Sequence, residues 1–285
     1  MRKSYAAYAK INLLLDVTGR LPNGYHSVAM LNQSIDLHDT VTVETTSGPG
    51  IEIRCDAPSI PLDERNIAHK ACKAFGLVSG LRVTIEKRIP SEAGLAGGSA
   101  NAAAVLTALR DIYAPGMPDG QLREIAVTIG ADVPFCLAGG CCLAEGVGER
   151  LTPLPCLPED YAIALAKPAF SVSTANAYAK LDSIPFTRPQ TVQAIAHARR
   201  GDWENLFPLC ANVFEQAVSF TDLADVKQNA LQAGARLVQM TGSGSAVFAV
   251  YHREQPPGEI LQALAQLDKH VMVCRPVPCG VLAIA

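Results

Sequence analysis

The residues Gly94-Leu95-Ala96-Gly97-Gly98-Ser99 have the types and spacing to hold a polyanion. Apolar alternation at Leu81, Val83 and Ile85 predicts a strand over 81–87, ahead of this loop. Ala102, Ala103, Val105, Leu106, Leu109 and Ile112 predict a helix directly after it. Glycine lets backbone N–H groups face a ligand with no Cβ in the way. The first turn of a helix adds unpaired N–H groups and a partial positive charge. Together they make an anion site suited to a polyphosphate. Ser99, expected at the helix start, can cap it, bind a phosphate oxygen or touch a phosphate-bound Mg²⁺. The loop is not a P-loop, because no lysine follows Gly98, and neither it nor Gly242-Ser243-Gly244 meets the dinucleotide pattern Gly-x-Gly-x-x-Gly. An ordinary tight loop with a capped helix fits the same residues. The second cluster, Thr241–Ser245, lies between two predicted strands and reads on its own as a hairpin-like turn.

A chain of 285 residues suggests two lobes around a cleft. Apolar residues make up 49% of it, enough for a core, and aromatic residues only 6%, so the core must rest on Ala, Val, Leu and Ile. The net charge of −3 comes with no run of like charges, which speaks against a nucleic-acid partner. The nine cysteines are odd in number and lack Cys-x-x-Cys spacing, so they read as small buried hydrophobes in a reducing compartment. No stretch reaches the roughly 18 apolar residues of a membrane helix. Lys10, Asn12 and Asp16 interrupt any signal-like segment behind Arg2 and Lys3. The expectation is a cytoplasmic protein without a membrane partner, and oligomeric state is not legible.

Strands are predicted near 8–17, 28–37, 40–45, 161–166, 237–240, 247–251 and 271–274, with a turn at Arg20–Tyr25 on Asn23-Gly24. Helices are predicted over 66–77 with Asn66 as N-cap, 121–129 ending at Gly130, 174–181, 190–198, 210–218, 223–232 and 259–267. The mixed order indicates an α+β class. The proline-rich run Pro153–Pro158 marks a boundary, with an N-terminal phosphate-binding and catalytic lobe over 1–158 and a C-terminal lobe over 159–285.

Four segments, in order, resemble the GHMP kinase superfamily: Ala9-Lys10-Ile11-Asn12-Leu13 with Gly24-Tyr25-His26; Pro90-Ser91-Glu92-Ala93-Gly94-Leu95-Ala96-Gly97-Gly98-Ser99-Ala100; Gly130-Ala131-Asp132-Val133-Pro134-Phe135; and Met240-Thr241-Gly242-Ser243-Gly244-Ser245-Ala246. The pairing of Ala9-Lys10-Ile11-Asn12-Leu13 with Gly24-Tyr25-His26 is similar to the branch that phosphorylates the 2-hydroxyl of 4-diphosphocytidyl-2-C-methyl-D-erythritol in the non-mevalonate isoprenoid route. The resemblance implies a ribosomal-protein-S5-like N-terminal lobe, a ferredoxin-like C-terminal lobe, a site between them, and ATP with Mg²⁺. A homoserine or mevalonate kinase of the same superfamily, or a non-catalytic nucleotide sensor on the same scaffold, stays open on the sequence.

By the same resemblance, Asp132 is the general base and Lys10 its cationic partner, with phosphates held over Pro90–Ala100. Asn12, Tyr25 and His26 contact a substrate carrying cytidine diphosphate. Thr174 and Tyr178, four apart on one helix face, complete the substrate site, with Tyr178 and Tyr25 sandwiching the base. Gly242, Ser243, Gly244 and Ser245 form the second loop. No side chain is assigned to a metal, Ser99 being the one candidate. Two departures fall in the ATP site: Ala96 where many members carry glycine, and Asn101 where many carry aspartate. Taken singly, each residue has an ordinary alternative: an edge-strand lysine, a turn aspartate, a half-buried tyrosine, a surface histidine.

Overall fold

The computed structural model describes every residue except Asn23, Ser219, Thr221 and Ala285. Asn23, at the centre of the expected Asn-Gly turn, therefore lies outside the described residues.

Two sheets organise the chain. The first is built on two long antiparallel strands, β1 (Arg2–Arg20) and β2 (His26–Thr45). Residues 28–37 and 40–45, expected as separate strands, are one continuous strand. Its C-terminal half pairs with β4 (Leu81–Glu86), which pairs in parallel with β3 (Ile51–Cys55). Its N-terminal half pairs with β5 (Cys141–Gly146), which carries β6 (Arg150–Leu154). As expected, Leu81, Val83 and Ile85 share the buried face of β4.

Four helices belong to this lobe, α1 (Ile67–Ala74), α2 (Gly97–Tyr113), α3 (Asp119–Ile129) and α4 (Val133–Ala138); α1, α2 and α4 pack on the sheet, and α3 packs on those three helices. Asn66 caps α1 through its side chain, which accepts from Ala68 N at 2.9 Å. From Ala100 through Leu106 every residue of α2 is buried, because the helix is wedged between the sheet, α1 and α4. Small side chains are what let its backbone approach on all sides, which explains the alanine run.

The second sheet has the order β10-β7-β9-β8, with β7 (Tyr161–Ala166), β8 (Leu237–Met240), β9 (Val247–His252) and β10 (Met272–Cys274) all antiparallel. With α8 (Leu223–Gln232) before β8 and α9 (Gly258–Leu264) before β10, this is the βαββαβ arrangement of ferredoxin-like units. Ala162, Ala164, Val247 and Ala249 pack on Val226, Ala230, Ile260 and Leu264. Between β7 and α8 run α5 (Thr174–Asp182), α6 (Thr191–Arg200) and α7 (Trp203–Leu206). The helix expected over 210–218 is instead a short 3₁₀ turn at Val213–Gln216, started by Asn212, whose Oδ1 accepts from Phe214 N.

One segment departs from the division expected near Pro158. β11 (Val281–Ile284) returns to the first sheet and pairs antiparallel with β1 over Ser4–Ala7. Among the described residues no helix is long and apolar enough to cross a membrane.

Candidate active site

A cleft of about 1130 Å³ opens between the two sheets. The 90–99 loop forms its floor and runs into α2. Ala96 is the N-cap of α2, in the left-handed region at φ 57°, and makes no side-chain cap bond. Ser99, expected at the helix start, lies inside the first turn and lines the cleft. No acidic side chain occupies that turn, so the exposed N–H groups keep their positive potential.

The two glycine loops interlock. A Cβ on Gly94 would lie 2.1 Å from the Thr241 carbonyl oxygen, and one on Gly242 would lie 2.8 Å from Gly94 Cα. Both residues have positive φ, 75° and 57°. Ala246 N donates to Ala93 O at 3.2 Å, and Thr241 Oγ1 to Gly94 O at 3.3 Å. Lys10 N donates to Leu95 O at 3.2 Å, tying the first loop to β1. Thr241–Ser245 is thus the brace of the 90–99 loop, not a free-standing turn.

Lys10 is buried, and its Nζ donates to Asn12 Oδ1 at 2.7 Å. Lys10 and Asp132 line the same cleft but form no ion pair. Asp132 is the N-cap of α4, yet its carboxylate makes no cap bond, which leaves it available to a ligand. Both charges bear on Cys136: burial first, then Asp132, pushes that thiol up, while Lys10 pulls it down. Burial, then the Asp132 charge, raises the Tyr178 phenol to about 12.

Three expected contact residues do not reach the cleft. Ala100 is fully buried inside α2, and Ser245 is buried with its Oγ donating to Phe170 O at 2.7 Å. Asn12 is fully buried behind Lys10, where its Oδ1 accepts from Lys10 Nζ, from Gly242 N at 2.8 Å and from Thr241 Oγ1 at 3.2 Å, while its Nδ2 donates to Asn32 Oδ1 at 2.6 Å. Every polar atom of Asn12 is used internally, so it holds the lysine and the brace rather than a substrate. The shared strand face of Lys10 and Asn12 is as expected.

The other expected residues, Pro90 to Ser99, Tyr25, His26, Thr174, Tyr178, Gly242, Ser243 and Gly244, all line the cleft. Thr174 Oγ1 lies 3.0 Å from Ser243 Oγ, joining α5 to the brace. Tyr178 stacks on His26, with ring centroids 4.5 Å apart and planes 16° apart, and meets Phe214 edge-on. Its ring is thus already half-covered by His26, and Tyr25 is 65% exposed at the mouth.

Sequence reasoning missed Lys87 as a cleft residue, and gave Asn101 only as a departure in the ATP site. Lys87 Nζ sits 3.1 Å from the position of a Cβ on Gly97, beside the first turn of α2. Its ion-pair partner Asp39 is fully buried and also accepts from Arg88 N and Ile89 N at 2.7 and 2.8 Å. A lysine three residues before the loop was the available signal, since the glycine run itself carries no cation. Asn101 lines the cleft, and its Oδ1 is buried without a hydrogen-bond partner. Such an acceptor is costly unless a ligand completes it. Among the described residues no group of three or more His, Cys, Asp or Glu side chains is placed to hold a metal ion. Arg65, Ile60, Pro61 and Ile67 add a largely apolar wall on the far side of the loop.

Comparison with known proteins gives a consistent picture. Residues 65–140 match the GHMP kinases N terminal domain and residues 192–270 the GHMP kinases C terminal domain. A 4-diphosphocytidyl-2-C-methyl-D-erythritol kinase of Clostridium tetani is 41% identical over 252 residues, covering 86% of this chain and 89% of the relative. One of Alkaliphilus metalliredigens is 42% identical over 250 residues, covering 85% and 86%. A solved 4-(cytidine 5'-diphospho)-2C-methyl-D-erythritol kinase superposes with a TM-score of 0.74 at 32% identity, covering 97% of this chain and 99% of that one. A homoserine kinase from Cytophaga hutchinsonii reaches a TM-score of 0.79 at 21% identity, over 99% and 97%, which speaks to the shared fold.

Proposed function

The chain belongs to the GHMP kinase family, and on that premise we propose that it transfers the γ-phosphoryl group of ATP to the 2-hydroxyl of 4-diphosphocytidyl-2-C-methyl-D-erythritol. The relatives above 40% identity over most of the chain carry that name. The single structural observation that supports it is the cleft itself. The 90–99 glycine loop, a carboxylate that caps nothing and a histidine–tyrosine stack all line it, which is what phosphoryl transfer to a nucleotide-bearing alcohol would need.

Phosphoryl transfer asks the protein for position and charge stabilisation more than for covalent chemistry. In this reading the N–H groups of Gly94–Ser99 and the Lys87 ammonium hold the polyphosphate, and the wall of Ile60, Pro61 and Ile67 takes the adenine. Lys10 Nζ, fixed by Asn12, orients the acceptor hydroxyl and the transferring oxygens. Asp132 accepts the hydroxyl proton as the O–P bond forms. His26 and Tyr178 meet the cytosine at the other end. In this reading residues 1–158 carry the phosphate loop, Lys10 and Asp132, residues 159–285 supply the brace and Tyr178, the base lies between His26 of one lobe and Tyr178 of the other, and strand β11 of the second lobe joins the first sheet.

Mg²⁺ fits this site as a phosphate-bound ion. Asn101 Oδ1, orphaned at the back of the cradle, and Ser99 are the protein oxygens placed to meet its shell. When bound it neutralises charge on the phosphates. The cleft suits a small-molecule acceptor rather than a polymer, and in this reading the enzyme works in the cytoplasm.

The test is an ADP-release assay on purified protein across a panel of alcohols. Turnover is expected with the diphosphocytidyl alcohol and not with homoserine or mevalonate. Turnover with either of those and none with the cytidine compound would replace this reading by another kinase of the family. ATP binding with no turnover on any alcohol would replace it by the sensor.

A further inference from the structure

His26 touches both lobes. It opens β2 in the first, its ring stacks on Tyr178 of α5 in the second, and its Nε2 lies 2.8 Å from Oδ1 of Asp182, the last residue of α5. The His26 side chain is 10% exposed and lines the cleft. Asp182 is held in turn by Arg20 at 3.8 Å, from the end of β1. Ring plane and ring nitrogen are therefore fixed by two different side chains of one helix, four residues apart.

An ionised carboxylate only accepts hydrogen bonds, so the nitrogen facing it must carry a proton. The bond made by one imidazole nitrogen decides what the other can do. Among the described residues Nδ1 of His26 has no partner. We propose that Asp182 is a positioning residue for base recognition: it holds His26 as the Nε2–H tautomer, so that Nδ1 presents a lone pair to an exocyclic amino group of the pyrimidine. A 4-aminopyrimidine supplies that donor. A pyrimidine with a carbonyl at the same place presents an acceptor and meets lone-pair repulsion. This deepens the proposed function, because it rests on a cytidine diphosphate group lying in the His26 end of the cleft.

The test uses the full-length protein, with Asp182→Ala, Asp182→Glu and wild type side by side. Long-range ¹H–¹⁵N spectra at about pH 8, above the ordinary histidine range, report the tautomer without any substrate. Wild type is expected to show His26 protonated at Nε2, and Asp182→Ala to show a mixture with Nδ1–H. Calorimetry with CDP and UDP, again without turnover, is expected to show a CDP preference that shrinks about tenfold in Asp182→Ala and returns in Asp182→Glu; a tenfold change is the size of one misplaced hydrogen bond. In turnover, KM for the cytidine substrate rises while kcat and KM for ATP stay within about twofold. An unchanged tautomer, or an unchanged CDP-to-UDP ratio, overturns the proposal. Equal weakening of CDP, UDP and ATP, with a lowered melting temperature, also overturns it and makes Asp182 a lobe fastener. If wild type binds CDP but never turns over the diphosphocytidyl alcohol, the proposed function fails while the spectra and calorimetry still decide the role of Asp182.

Discussion

Gly94 and Gly242 lie back to back, so close that a Cβ on Gly242 would sit 2.8 Å from Gly94 Cα. The two loops come from different lobes, and neither has room for a side chain where they meet. A motif that looks like an isolated turn in the sequence is the part that fixes the 90–99 loop from behind.

Gly94→Ala should therefore damage both stability and nucleotide binding. The new methyl meets the Thr241 carbonyl, and φ of 75° is unfavourable for alanine. We expect a loss of about 2–4 kcal/mol, read by urea denaturation, with weakened ATP binding by calorimetry. Gly98→Ala is the control: its nearest neighbour is Ile67 Cγ2 at 3.4 Å and its φ is not positive. It should unfold within about 0.5 kcal/mol of wild type.

Asp132→Asn should separate chemistry from folding. The carboxylate caps nothing in α4, so the melting temperature is expected to hold. Losing the proton acceptor should lower kcat about 10²–10⁴-fold, with ATP affinity within about twofold. Single-turnover rates with isothermal titration check both numbers, and a normal kcat would remove Asp132 as the base.

Asn12→Ala should behave as a core mutation with a catalytic consequence. It strips partners from Lys10 Nζ, Gly242 N and Asn32 Oδ1 at once, and leaves the Thr241 hydroxyl only the Gly94 carbonyl to donate to. Leaving buried donors and acceptors unpaired costs about 1–3 kcal/mol for each group. The expected result is a clear drop in denaturation midpoint together with a fall in kcat. A fall in substrate affinity alone, with stability intact, would mean that Asn12 reaches the ligand after all.

The fold should lose stability in alkali through its buried thiols. Burial pushes Cys142 up to about 11, and Cys72 and Cys274 up to about 12. In the unfolded chain such thiols ionise near the ordinary cysteine range. Above that range the unfolded state binds fewer protons than the folded one, so stability falls as pH rises toward the folded values and is fully present below pH 8. Denaturation midpoints across about pH 7–10 measure it. Labelling of native protein with a thiol reagent at pH 8 should spare Cys72, Cys136, Cys141, Cys142 and Cys274, all buried, and react at the partly exposed Cys55, Cys156 and Cys279; Cys210, also partly exposed as a residue, should react last because burial pushes its thiol up.

Much of this was legible in the residues. Leu81–Glu86 showed its alternation, Leu223–Gln232 its helical period, and Asn66 its cap, because each is decided by local spacing. What local spacing could not show is distance. Asn12 reads as a polar residue beside a catalytic lysine, and only the approach of Gly242 from the other lobe turns it into a buried hub. Ser245 reads as part of a loop lip and is in fact locked under Phe170. Lys87 reads as an ordinary strand-end lysine until Asp39, far away in sequence, holds it against the head of α2. Strands β5 and β6 escaped because prolines and cysteines mask their period, and β11 because nothing near it indicates which sheet it joins.

That last strand has a bearing on how the molecule is made. Ser4 pairs with Ile284, so the sheet carrying the phosphate loop gains its edge from residues that leave the ribosome after the whole second lobe. During synthesis the exposed rim of β1 must wait, since pairings this distant in sequence form slowly. The first sheet is expected to be completed only once residues 281–284 have emerged, rather than ahead of the second lobe, and the nascent form to lean on chaperones that shield an unpaired strand.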